Sequence, residues 1–209
     1  MDYETELIKW LLNLITALVM AFVGWLISIK AAEKIEVYKQ KKAVDSLYID
    51  IEILNDKLKA TLKPYCISYL KLHNWDRISI IDLNILKYIP WNVSKDMGWN
   101  SLTKEQKLAL TLLDDYLNTI SLEYRNLFNI WEIQNEDHQS MNKMIAHHRT
   151  IIRFLSASYI LTLNFNIHRD KLVKESYMPS DLEPKKNVKR ALNDIDVDIT
   201  EDFIKDLVN

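Results

Sequence analysis

The pattern of apolar and polar positions opens with an unbroken apolar run. Residues 10–29 contain no charged side chain, and Lys9 and Lys30 close the two ends. Eleven of these twenty residues are Leu, Ile, Val or Phe, each contributing about −0.3 to −0.6 kcal/mol to insertion near a bilayer centre. That outweighs the polar Asn13, Thr16 and Ser28. A helix of this length rises roughly 30 Å, the thickness of a hydrocarbon core. Trp10 and Trp25 lie toward its ends, where indole rings favour the interface. The run therefore predicts a transmembrane helix. The leader carries Asp2, Glu4 and Glu6, whereas a signal peptide opens on a basic region and closes on a small-residue cleavage site.

Past the span, Val37, Val44, Leu47, Ile51, Leu54, Leu58 and Leu62 recur at helical spacing, close to a heptad seam. No Gly or Pro interrupts this stretch beyond Trp25 until Pro64. The spacing predicts that the membrane helix continues as a stalk over residues 30–63, interrupted by Gln40 and Lys41. Pro64 is expected to end or sharply bend it. Residues 65–72 and 79–88 read as short helices. Residues 90–100 hold the turn signals Pro90, Asn92, Gly98 and Asn100 with Trp91 and Trp99, and read as a loop packed on the core.

Thr103 and Gln106 form a capping box ahead of a periodic run of Leu108, Leu112, Tyr116 or Leu117, Ile120, Tyr124, Leu127 and Trp131. After a polar break at 134–140, a second long helix is predicted to reach about residue 177. Its apolar face would be Met141, Met144, Ile145, Ile151, Ile152, Leu155, Tyr159, Leu163 and Ile167. Two long helices joined by a short turn are expected to pack antiparallel. Pro179 and Pro184 mark a linker, and residues 188–209 read as an acidic tail with one or two short helices.

Composition supports an all-α reading, because two Gly and four Pro in 209 residues are too few for the turns of a strand-rich fold. The expected organisation is a short extracytoplasmic N-terminus (1–9), a transmembrane helix (10–29), a stalk (30–63), a cytoplasmic helical bundle (64–178) and a linker with acidic tail (179–209). Lys30, Lys34, Lys39, Lys41 and Lys42 follow the span and only Lys9 precedes it. This bias places the N-terminus outside and the remainder in the cytoplasm. Asn13, Ala17, Ala21, Gly24 and Ser28 line one face of the span and would allow close helix–helix association into a homo-oligomer.

The candidate chemistry is sparse. The single Cys66 excludes an intrachain disulfide and a thiolate zinc site, and the net charge of −2 gives no drive toward duplex nucleic acid. Too few glycines are present for a P-loop or dinucleotide fingerprint. Asp194, Asp196 and Asp198 open like a calcium loop, but Ile199 and Lys205 stand where that loop needs Gly and Glu. His138, His147, His148 and His168 lack the spacing of a metal site. No nucleophile–base pair or carboxylate dyad stands out, so an enzyme, a cofactor and a resident metal are not expected.

What remains is a cationic cluster of Lys143, His147, His148, Arg149 and Arg153, a set suited to a phosphodiester or an acidic partner. A solvated helix face is the other reading of the same residues. The layout of N-terminal span, cytoplasmic helical domain and basic cluster resembles the small single-pass membrane effectors of bacterial antiphage defence, including cyclic-oligonucleotide-activated proteins of type III CRISPR loci. That resemblance implies a bacterial inner membrane as the location, with oligomerisation, nucleotide binding and membrane perturbation. A membrane-tethered adaptor presenting a helical surface to a protein partner is the alternative.

Overall fold

The computed structural model describes residues 3–74, 98–132, 138–172, 184–195 and 201–208. Among them every regular element is helical: α1 (Tyr3–His73), α2 (Lys104–Glu132), α3 (His138–His168), α4 (Pro184–Asp194) and α5 (Glu201–Val208), with 3₁₀ turns at Trp99–Ser101 and Arg169–Lys171. The described residues are therefore all-helical, with one long apolar helix at the N-terminal end.

α1 runs for 71 residues, about 105 Å at 1.5 Å per residue. Its apolar N-terminal part is long enough to cross a membrane, and none of the most apolar stretch is buried inside the molecule. Within this part Thr16 donates its hydroxyl to the Leu12 carbonyl at 2.8 Å. Further along, the same helix enters the core: Ala43, Leu47, Ile51, Leu54, Leu58, Leu62, Tyr65, Cys66, Tyr69 and Leu72 are buried. The stripe read as a stalk seam is thus the domain's own core face from Ala43 onward, and only Val37 at its start stands exposed.

Pro64 neither ends α1 nor precedes a separate short helix; it lies inside α1. A proline removes the hydrogen bond to the carbonyl four residues back, here that of Ala60. Pro64 and Ala60 both lie on the exposed side of α1, while Leu62, Tyr65 and Cys66 on the other side stay packed in the core.

The capping box forms as the sequence predicts. Gln106 N–H donates to Thr103 Oγ1 at 3.1 Å, and Thr103 N–H donates to Gln106 Oε1 at 2.8 Å. Gln106 then reaches α1, its Nε2 donating to the Tyr48 hydroxyl at 2.7 Å. The buried face of α2 is Ala109, Leu110, Leu113, Ile120 and Leu127, whereas Leu108 and Trp131 are exposed. The predicted face is therefore rotated at its start, where the buried line is Gln106, Ala109, Leu110 and Leu113.

α3 is the central helix and touches each of the other four. Pairings of Glu123 with His147 and Tyr116 with Phe154 run in opposite senses along α2 and α3, so these two lie antiparallel. Asn55 with Thr162 and Ser68 with His148 give the same sense for α1 and α3. Enclosure on several sides buries polar positions of α3 as well as apolar ones, including Ser156, Ser158, Thr162 and Asn164.

α3 ends at His168, short of the predicted residue 177. Arg169 takes a left-handed φ of 46° and sets its guanidinium over the Tyr48 ring, 5.0 Å from the centroid. The C-terminal segment is no solvated appendage: Val188, Ala191, Leu192, Ile195, Ile204 and Leu207 are buried, and α4 and α5 both pack on α3. The predicted helix at 79–88, Trp91, residues 134–137 of the predicted break, and Asp196 and Asp198 lie outside the described residues; residues 138–140, read as part of that break, already belong to α3. Trp99 packs against the core in its 3₁₀ turn, with Lys107 Nζ 5.8 Å from its ring centroid.

Candidate functional site

The cationic cluster sits near the N-terminal half of α3, where successive residues turn by about 100°. Lys143 points to solvent. His147, one turn on, is half-buried, and its Nδ1 meets Glu123 Oε2 of α2 at 2.5 Å. Arg149 and Arg153 share a different side of α3, both half-buried.

His148 is placed in the core rather than among the surface cations. Its ring is 1% exposed and lies 5.7 Å from the Tyr65 ring of α1. Nδ1–H donates to the Met144 carbonyl at 3.2 Å, which leaves Nε2 to accept from the Ser68 hydroxyl at 3.5 Å. Burial pushes its pKa down to about 4 against the smaller opposing effect of the Met144 carbonyl. At neutral pH this ring is therefore uncharged and contributes nothing to anion recognition. Within one chain, the five residues do not converge: one is core, one is engaged with Glu123, and the remaining three split between two sides of α3.

The span residues Asn13, Ala17, Ala21, Gly24 and Ser28 are all exposed on α1, and a Cβ added at Gly24 would meet nothing within 4 Å. This face is open to another helix. Cys66 is buried, and burial pushes its thiol up to about 12, which keeps it protonated and unreactive. Among the described residues no three potential metal-ligating side chains come together.

The sequence reading missed a polar node in the core. Asn55 of α1 donates through Nδ2 to the Tyr159 carbonyl at 3.0 Å and to Thr162 Oγ1 at 2.7 Å, while the Thr162 hydroxyl donates to the Ser158 carbonyl at 2.9 Å. The available signal was Asn55 lying beside Leu54 at the edge of the buried stripe. A shallow open groove of about 370 Å³ lies on the outer side of α1, lined by Lys59, Ala60, Lys63, Pro64, Ile67 and Ile195.

No family model, characterised protein or solved structure matches the chain.

Proposed function

We propose that this protein is a single-pass membrane effector, with its N-terminus outside and a cytoplasmic helical bundle that acts on the bilayer through the N-terminal helix. The observation that carries this reading is the continuity of α1, whose exposed apolar segment and buried core face belong to one uninterrupted helix. A change in how α1 sits against α3 therefore moves the membrane helix without a flexible joint between them. The signal we assign to the domain is an anionic ligand of the cyclic-oligonucleotide class, bound by Arg149 and Arg153 with Lys143 and His147 nearby, in an assembly of several chains. Such an effector perturbs the membrane, in keeping with a role in antiviral defence.

Two measurements test it. Alkaline carbonate should leave the full chain in the membrane pellet, and protease added to sealed, right-side-out cells should spare residues 30–209. Isothermal titration of the detergent-solubilised chain with cyclic oligoadenylates and cyclic dinucleotides should give heat that Arg149→Ala/Arg153→Ala abolishes. No heat with any of them removes the ligand from the proposal.

A second reading, a membrane-tethered adaptor without a ligand, is favoured by the engagement of His147 with Glu123 and the burial of His148. It predicts a stoichiometric protein partner that binds the Arg149→Ala/Arg153→Ala variant as well as the parent.

A further inference from the structure

The outer face of α1 carries apolar side chains that none of the described residues buries. Ile49 is 58% exposed, Ile53 45% and Ile67 43%, and the exposed Ala60 and Pro64 lie between them. Nine residues, about two and a half turns, separate Ile53 from buried Leu62 and buried Leu58 from Ile67. The exposed strip is thus on the side of α1 opposite its core face. Its far end is concave, since Ala60, Pro64 and Ile67 line the open groove on this side.

The strip has a register with the span. Ile49, Ile53, Ala60 and Pro64 stand thirty-six residues beyond Asn13, Ala17, Gly24 and Ser28 respectively, about ten turns at 3.6 residues each. All of these positions are exposed and share one side of one continuous helix. Ile35, exposed as well, falls on the same side between the two sets. Ala21 has its counterpart in Lys57, which is half-buried at the strip's edge. Two exposed charges interrupt the strip, Lys42 about 20 Å beyond the span and Asp56 between Ile53 and Ala60; in a pair each stands beside its own copy and stays solvated at the edge of the contact.

We infer that this strip is the contact along which a second copy of the chain pairs with the first, parallel and in register, from Asn13 to Pro64. The inference rests on the membrane reading above, which orients every copy the same way. Length and area decide the occupant. The strip is about 75 Å long, and helices packed at 8–10 Å cover a band about 10 Å wide. A pair along the whole strip buries on the order of 1,500 Å² in total, within the range of stable interfaces, about 1,200–2,000 Å². Pairing along residues 49–70 alone buries only about 600 Å², too little for a stable complex. Lipid cannot cover Ile49 to Ile67, which begin about 30 Å beyond the end of the span. A second α1 matches both halves at once. Like residues meet across the axis of such a pair, so the isoleucines stack on isoleucines and the small residues allow the span helices to approach closely.

Cysteine crosslinking of the full chain in native membranes tests this, because buried Cys66 leaves the parent silent. Ile53→Cys and Ala60→Cys should form disulfide-linked dimers under mild oxidation at least tenfold faster than Glu52→Cys, about 100° away on α1, or Asp115→Cys, exposed on α2. Equal rates at all four positions overturn the pairing, as does a crosslinked product whose mass is not twice the chain's. Ile49→Glu/Ile53→Glu, at solvent-facing sites, should keep the circular-dichroism spectrum and reduce the detergent-solubilised species to a monomer by light scattering. A variant that stays dimeric overturns the proposal. Carbonate extraction reads the anchor separately: release of the chain with the crosslink pattern intact sinks the membrane reading and leaves the pairing.

Discussion

Tyr48 joins three helices that are far apart in the chain. Its hydroxyl accepts from Gln106 at the start of α2, its ring packs on Phe165 with centroids 5.7 Å apart, and Arg169 caps its other face. Tyr48→Phe keeps the ring and strands one side-chain amide, so it should cost about 1 kcal/mol in urea unfolding. Asn55→Ala should cost more, about 1–3 kcal/mol, because it leaves a partner unpaired in a buried network. His148 gives a pH signature. The unfolded chain takes up its proton near pH 6.5, and the folded chain refuses it until about pH 4. Stability should therefore be full above pH 6.5 and fall between about 6.5 and 4, by on the order of 3 kcal/mol. His148→Leu should flatten that slope, and equal melting-temperature slopes for parent and variant would refute the assignment. The capping box was legible because its partners lie three residues apart. Asn55 and Thr162 were not, being separated by 107 residues.

At the scale of elements, α1 changes role along its length. Leu58→Ala, at a fully buried site, should cost about 2–5 kcal/mol, whereas Val37→Ala, on the exposed stretch, should shift stability by less than about 0.5 kcal/mol. Denaturant titration of the two variants checks both. A period of 3.6 residues looks the same whether the apolar stripe meets a neighbouring chain or its own fold. That is why residues 43–62 read as a stalk: α3, which covers them, lies about a hundred residues downstream. Pro64 was misleading for a related reason: the lost hydrogen bond is visible in the sequence, but the core packing of Leu62, Tyr65 and Cys66 that holds α1 together across it is not. The end of α3 was hidden because Arg169 takes the left-handed turn that glycine usually announces. Conversely, Gly98 has an ordinary φ of −91° and is small for packing; a Cβ there would meet Val44 Cγ2 at 3.3 Å. Gly98→Ala should cost about 1 kcal/mol through this crowding, measured by thermal melting.

For the molecule as a whole, helical class and the apolar N-terminal helix could be read from composition and pattern, because scarce Gly and Pro leave few other folds. The arrangement of helices could not, since it depends on which faces meet across long separations. The C-terminal segment shows this most clearly: its acidic residues suggested a tail, yet Val188, Leu192 and Leu207 complete the core. α1 has a mechanical corollary. Trp10 precedes Leu47, the first deeply buried leucine of α1, by 37 residues, roughly 55 Å of helix. The core thus holds a lever with a long free arm, and a swing of about 5° at Leu47 carries Trp10 sideways by about 5 Å, half the diameter of a helix. Small repacking around Leu47 is amplified into a displacement of several ångströms at the far end of the helix.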